Sequence, residues 1–136
     1  MIKFLVISVA TLLLLNSTNT LAQKLNPGDG VQIIFLDIKD NISGKYIVQP
    51  DGKLQLPFIG IINTEHKSYK EIKRIIVTRY DSLYKSPELS VHALLRINIL
   101  GEVKNPGYYR VREDETIAGI LALAGGVTSN GDIESV

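Results

Sequence analysis

Ile97-Asn98-Ile99-Leu100-Gly101-Glu102-Val103-Lys104-Asn105-Pro106-Gly107-Tyr108-Tyr109-Arg110-Val111 holds two β-favouring runs on either side of a turn. Asn105-Pro106-Gly107 supplies the turn: proline presets φ and glycine accepts the conformation other residues avoid. The spacing predicts that Tyr108 to Val111 pairs back on Ile97 to Val103. Next come Asp114-Glu115-Thr116-Ile117 and then Ala122-Leu123-Ala124-Gly125-Gly126. Asp114 or Thr116 is placed to cap a short helix with Ile117, Ile120, Leu121 and Ala124 on its inner face. Gly125-Gly126 then stops it in the left-handed conformation of a C-cap. Ser129-Asn130-Gly131-Asp132 is a further turn, and Ile133 to Val136 starts a strand. A lone final strand predicts that the chain ends inside this second unit.

Upstream, the first unit builds by the same rules. Lys24 to Gly30 is a turn-rich lead-in centred on Asn26-Pro27-Gly28-Asp29-Gly30, and Val31 to Leu36 is an apolar strand. After a polar loop over Asp37 to Gly44, Lys45 to Gln49, the turn Pro50-Asp51-Gly52 and the alternating Lys53-Leu54-Gln55-Leu56 predict a hairpin. Pro57-Phe58-Ile59-Gly60-Ile61-Ile62 continues as an apolar segment expected to be mostly buried. Ser68-Tyr69-Lys70-Glu71 is a capping box. Behind it Tyr69, Ile72, Ile76, Tyr80 and Leu83 recur at spacings of three and four. That is one apolar stripe on a helix of about four turns, ended by Ser86-Pro87. Leu89 to Ile99 reads as strand, with a break near Leu94-Leu95 and the unit boundary between Leu94 and Arg96.

The N-terminus has the layout of a secretory signal peptide, assigned to residues 1–22. Met1-Ile2-Lys3 is basic, Phe4 to Leu15 is uncharged, and Thr20-Leu21-Ala22 offers small residues for cleavage after Ala22. Its apolar core is shorter than the roughly 20 residues a membrane-spanning helix needs. Cleavage removes Lys3, one of 15 basic residues that face 14 acidic ones. A balanced mature chain gives no electrostatic case for nucleic acid or anionic lipid as a partner. With no cysteine there is no disulfide framework and no thiolate metal site.

Chemistry-bearing residues are sparse. His66 and His92 share no metal-ligand spacing and read as surface polar residues, so no metal is expected. Glu113, Asp114 and Glu115 precede a helix, where negative charge meets the positive end of its dipole. Gly125 to Gly131 lacks the Gly-Lys-Ser/Thr ending of a phosphate loop and follows a helix where such a loop precedes one.

Several blocks together resemble the polysaccharide export protein family, the Wza-like outer-membrane exporters. Leu25-Asn26-Pro27-Gly28-Asp29-Gly30-Val31-Gln32-Ile33 resembles the opening of its N-terminal export domain. Gly44-Lys45-Tyr46-Ile47-Val48-Gln49-Pro50-Asp51-Gly52-Lys53-Leu54-Gln55-Leu56-Pro57-Phe58-Ile59-Gly60 resembles its most distinctive block. The Ser68 helix and Pro87-Glu88-Leu89-Ser90-Val91 follow in family order, and residues 96–136 resemble the soluble-ligand-binding β-grasp (SLBB) domain. The family usually carries a lipid-bearing Cys at the cleavage site, where this chain has Gln23. The resemblance implies an α+β fold: an export domain over residues 23–95, then an incomplete β-grasp domain over residues 96–136. Its motif turns fall on Pro27, Gly28, Asp29, Asp51, Gly52, Pro57, Gly60, Gly101, Pro106, Gly107, Gly125 and Gly126.

The resemblance also implies a function. The chain would form the periplasmic part of an oligomeric outer-membrane transporter for capsular or exopolysaccharide, with no cofactor and no catalysed reaction. Its partners would be the polysaccharide, its own copies in a ring, and an inner-membrane partner of the co-polymerase or tyrosine-kinase type. Family loops place Tyr108, Tyr109, Arg110 and Arg112 as glycan or subunit contacts, since Tyr faces stack on sugar rings and Arg donates planar hydrogen bonds. Two rival readings remain open at this level. One is a periplasmic glycan- or ligand-binding module that forms no channel. The other is a glycan hydrolase, which would need facing carboxylates drawn from Glu102, Asp114 and Glu115.

Overall fold

The computed structural model describes residues 23–37, 39 and 41–129. Its elements run β1 (Gly30–Phe35), β2 (Gly44–Ile47), β3 (Lys53–Leu56), β4 (Gly60–Asn63), α1 (Tyr69–Tyr84), β5 (Leu89–Ile99), β6 (Gly107–Arg112) and α2 (Ile117–Leu123). Among the described residues these make an α+β fold: an antiparallel sheet in the order β2-β1-β5-β6, a separate β3-β4 hairpin and two helices. The leader, the Ser129–Asp132 turn beyond Ser129 and the strand expected from Ile133 lie outside the described residues.

Strand β5 organises the sheet. It runs unbroken through Leu94-Leu95, where the sequence suggested a break. Its first half, Leu89 to Leu94, pairs with β1, and its second half, Leu94 to Ile99, pairs with β6. Val91, Ala93, Ile97 and Ile99 keep the inward alternation across the middle, while Leu94 is buried on the opposite face. Val91 and Ala93 join the larger core, with Val31, Ile33 and Phe35 of β1 and Ile72, Ile76 and Tyr80 of α1. Ile99 joins a smaller one with Val103 and Ala124, against which Ile97, Tyr109, Ile120 and Leu121 pack. Each fully buried Ile or Val adds roughly 1.5–3 kcal/mol of burial free energy, so both halves of β5 are held by packing.

Helix α1 forms where the capping box and stripe predicted. Glu71 N–H donates to Ser68 Oγ at 3.3 Å, and Ser68 N–H donates back to Glu71 Oε2 at 2.7 Å. Of the stripe, Tyr69, Ile72, Ile76 and Tyr80 are buried, whereas Leu83 is 52% exposed. The helix leaves the core at that point, turns at Lys85 with φ 51° and stops ahead of Pro87. Phe35 meets the rings of Tyr80 and Tyr84 edge-on at 5.3 and 5.6 Å, a favoured geometry for aromatic pairs.

The expected hairpin of Lys45–Gln49 with Lys53–Leu56 does not form as a ladder. Strand β2 pairs with β1 and β3 pairs with β4; the Pro50-Asp51-Gly52 turn is closed by Gln49 N–H to Lys53 O at 2.8 Å and Gly52 N–H to Gln49 O at 2.9 Å. The cause is burial: Leu54, Leu56 and Ile62 are needed in the larger core, so the chain turns away from the sheet at Gly52. Pro57 to Ile62 is likewise not mostly buried. It contains the β3-β4 turn, with Phe58 76% and Ile61 54% exposed and only Ile62 buried. Alternation sets Ile61 opposite Gln55 on the outer side.

Two smaller differences lie in the second unit. Strand β6 pairs with Leu94–Ile99 and not as far as Val103. Residues 100–106 instead loop out, and Val103 bridges to Val127 beyond α2. Thr116 caps α2, accepting from Gly119 N–H at 3.0 Å, while Ile117 is 65% exposed and leaves the inner face to Ile120, Leu121 and Ala124. Gly125 and Gly126, at φ 80° and 83°, end the helix, and Gly126 N–H closes it by donating to Leu121 O.

Where each neighbour of β5 runs out, a side chain completes the edge. Strand β1 starts at Gly30, opposite Leu94, and the next N–H on that side, Arg96, donates to Asp29 Oδ1 at 2.8 Å. Asn26 N–H donates to Asp29 Oδ2, also at 2.8 Å, and Asp29 is 7% exposed. On the β6 side, Glu113 N–H reaches Ala93 O, and Val91 O accepts from the Tyr69 hydroxyl at 2.9 Å. Burial, and then the charge of Glu113, push the Tyr69 phenol above its ordinary range, so it stays a donor.

Two outcomes follow. Asp29→Ala strands two backbone N–H groups and should lower unfolding stability by about 3 kcal/mol, with Asp29→Asn, which keeps one acceptor, losing about half; urea unfolding midpoints check both. Phe58 sits at φ 63°, a left-handed conformation costing a non-glycine residue about 1 kcal/mol. Phe58→Gly should therefore raise stability by about that amount in the same assay.

Candidate functional site

Strand β6 alternates. Tyr108 and Arg110 are exposed and Arg112 is half-buried, while Val111 is buried and Tyr109 half-buried on the other side. The register sets Asn98 opposite Tyr108, Arg96 opposite Arg110 and Leu94 opposite Arg112, and directly paired residues share a face. The sheet thus brings together Tyr108, Arg110 and Arg112 and adds Arg96, Asn98 and, further along β5, His92. Tyr109 is placed apart: it packs into the smaller core and its hydroxyl donates to Asn105 O at 2.6 Å.

Each cation on this face is held differently. The Arg96 guanidinium carbon lies 5.0 Å from the Tyr108 ring centroid, within cation–π range. Arg110 Nε donates to Gly28 O at 2.9 Å. The Pro27-Gly28-Asp29 turn therefore lies against both arginines. Gly28 has φ 95°, which selects glycine, and a Cβ there would fall 3.0 Å from Arg96 Nη1. Arg112 makes a forked pair with Asp114, at 2.9 Å from Nε to Oδ1 and 2.6 Å from Nη2 to Oδ2.

Arg112 Nη2 also lies 3.3 Å from His92 Nδ1, and His92 Nε2 lies 2.7 Å from Ser90 Oγ. A guanidinium only donates, so His92 Nδ1 accepts and Nε2–H faces the serine. The hydrogen bond from Arg112 holds the Asp114 carboxyl below its ordinary range, and Asp114 in turn raises Arg112. Among the described residues the ion pairs are Lys53–Asp51 and Arg112–Asp114, so Arg96 and Arg110 have no carboxylate partner there.

The residues a hydrolase would use are spread among separate local bonds. Glu102 Oε2 accepts from Thr128 Oγ1 at 2.9 Å, Asp114 is taken by Arg112, and Glu115 Oε1 accepts from Thr116 N–H at 3.1 Å. His66 is exposed at a turn with φ 59°. Among the described residues no three metal-ligating side chains cluster. Of the motif turns, Asp51 receives Lys53 N–H at 3.2 Å, and Gly52, Gly60, Gly101 and Gly107 all have positive φ.

Sequence reasoning missed Arg96 and His92 because one was read as a boundary residue and the other as isolated. The usable signal was Arg96-Ile97-Asn98 alternating opposite Tyr108-Tyr109-Arg110. The Arg112–Asp114 pair carries a pH outcome. A lowered carboxyl pKa means its contribution is full above the unfolded value of 3.8 and is lost as pH falls through the lower folded value. An NMR titration of the Asp114 carboxyl should show a midpoint below 3.8, moving upward in Arg112→Gln.

A model of the polysaccharide biosynthesis/export protein family matches residues 17–94, and a model of the SLBB domain matches residues 96–136. The polysialic acid transport protein KpsD of Escherichia coli is 28% identical over 109 residues, covering 76% of this chain and 19% of that protein. The EPS I polysaccharide export outer membrane protein EpsA of Ralstonia nicotianae is 32% identical over 98 residues, covering 68% of this chain and 26% of its own length. The exopolysaccharide production protein ExoF of Rhizobium meliloti is 33% identical over 91 residues, covering 63% and 22%. The chain thus spans about a fifth to a quarter of the length of these relatives. The export-family match covers more than half of the chain and the SLBB match follows it directly, and so the chain belongs to the polysaccharide biosynthesis/export protein family.

Proposed function

We propose that this chain is a component of a capsular or exopolysaccharide export system, forming the periplasmic part of an oligomeric outer-membrane polysaccharide transporter. The observation that carries this reading is the join: an export-family match and an SLBB match meet within one strand, β5. That strand pairs with β6, and together they present a face of Arg96, Tyr108, Arg110 and the half-buried Arg112. The printed roles of KpsD, EpsA and ExoF, in polysialic acid transport, polysaccharide export and exopolysaccharide production, support the same assignment.

On this reading the export unit spans residues 23–95 and the β-grasp unit residues 96–136, and the chain is exported to the periplasm behind the leader at residues 1–22. Copies assemble as a ring through heterologous contacts, which close when the rotation between neighbours closes. An inner-membrane co-polymerase or tyrosine-kinase-type partner supplies energy and gating. The protein holds and passes polymer and does not cleave it. Tyr108 stacks on sugar, while Arg110 and Arg112 donate to its oxygens. A second reading, a periplasmic glycan-binding module without a channel, draws on one observation: the face is complete within a single copy.

Deleting the gene in its native host should remove polysaccharide from the cell surface and leave polymer inside the envelope. Complementation with Tyr108→Ala/Arg110→Ala should restore about a tenth of the wild-type surface polymer, the effect of losing about 1.4 kcal/mol of binding. Unchanged surface polymer in the deletion would sink the export reading. Native mass spectrometry of the purified protein separates the two forms: a ring supports the transporter, and a monomer that binds sugar supports the module.

A further inference from the structure

Arg96 and Arg110 face each other across β5 and β6. Like charges directly opposite on a sheet repel, and antiparallel partners bring their Cβ atoms to about 4.5–5.5 Å. Arg112, on the next pair along, is neutralised by Asp114. Arg96 and Arg110 have no carboxylate partner among the described residues. Both are nevertheless held in place, Arg96 on the Tyr108 ring and Arg110 by Gly28 O. The nearby Asp29 carboxylate is taken by the Asn26 and Arg96 main-chain N–H groups and ion-pairs with neither guanidinium, so the two neighbouring cations favour an external anion between them. Guanidinium forks match a planar carboxylate, with two parallel N–H···O bonds.

Tyr108 adds the second element. It is 70% exposed, with the Arg96 guanidinium beside its ring. An aromatic surface next to paired cations suits a sugar ring that carries a carboxylate, the ring lying on the tyrosine and the acid group reaching the arginines. The other basic region differs. Lys70, Lys73 and Arg74 border a shallow groove on α1 that also contains Glu71 and Val77. Among the described residues no aromatic side chain lines that groove, and Glu71 interrupts its positive charge.

We propose that the Arg96–Arg110–Tyr108 face recognises an acidic glycan, binding the carboxylates of uronic-acid-like residues in preference to neutral sugar. This rests on the reading of the same face as a glycan contact and narrows its ligand. The orientation follows from the fold: the Asn26–Gly30 turn lies along one side of the arginines, so the polymer approaches from the Tyr108 and Asn98 side.

The test titrates the purified processed protein with oligogalacturonate and with a malto-oligosaccharide of equal length, following backbone amide shifts. Oligogalacturonate should bind about tenfold or more tightly than the neutral chain, and weaken as salt is raised. Shifts should centre on residues 96–98 and 108–112. Arg96→Gln, Arg110→Gln and Tyr108→Ala should each weaken binding about fivefold, Arg110→Lys less, while Lys70→Gln/Lys73→Gln leaves it unchanged. Circular dichroism melts confirm that each variant is folded, and the Arg96 main-chain bond to Asp29 survives its substitution. Equal affinity for both sugars overturns the acidic preference while leaving export, judged by surface polymer, standing. Absence of binding to either sugar, binding that ignores Arg96→Gln and Arg110→Gln, or binding lost in the lysine double variant also overturns it.

Discussion

The carboxylate of Asp29 is the constraint on which the rest of the sheet depends. It accepts the N–H of Asn26 within its own turn and that of Arg96, 67 positions later in the chain. A buried charge is stable only when hydrogen-bonded, and here both bonds come from groups that the end of β1 would otherwise leave unpaired. One side chain therefore closes the lead-in turn and completes the edge of β5. Because Val48 N–H also donates to Asp29 O, the exit of β2 is tied to the same point. The Pro-Gly-Asp turn then lies where Gly28 meets Arg96 and Arg110, so the residue that completes the sheet also fixes the border of the candidate site.

Sharing β5 has a second consequence. The two family matches meet at residue 95, inside a strand and not in a linker. Residues on one side of that point are buried with α1, and those on the other pack towards α2. Packed elements have low compressibility, so a displacement of one half of β5 is felt in the other. Tyr69 strengthens the connection: it belongs to α1, yet its hydroxyl completes the β6 side of β5 at Val91.

Local chemistry made some of this fold legible and tertiary packing decided the rest. The capping box at Ser68, the stripe from Tyr69 to Tyr80 and the Gly125-Gly126 stop were readable because each depends on residues within a turn or two. The pairing of β2 with β1 was not. Pro50-Asp51-Gly52 specifies a reversal, but only the demand for Leu54 and Leu56 beneath α1 decides which strand is joined on either side of it. Phe58 was hidden for a related reason: apolar residues at a hairpin tip look like core until the register shows where the turn falls. At the site, Tyr108 and Arg110 were found from residue type, and Tyr109 was grouped with them because pattern alone does not say which alternate face is buried. Arg96 became visible only with the register, since its partners are Asp29 and Tyr108 and not its sequence neighbours.

That register is itself a product of the cores. A slip of one residue between β5 and β6 would send Ile97 and Ile99 outward and Arg96 and Asn98 inward, because side chains alternate with a period of two. Burying a guanidinium without a counter-charge costs several kcal/mol, and exposing two isoleucines forfeits roughly 1.5–3 kcal/mol each. Both penalties act against the same slip, so the spacing of Arg96, Arg110 and Tyr108 is held by packing on the reverse of the sheet. On the outward face the Tyr108 ring and Gly28 O hold the two opposed arginines, and it tolerates them without a carboxylate paired to either. The free energy that keeps those charges together is supplied by Val91, Ala93, Ile99 and Val111 on the reverse of the same two strands.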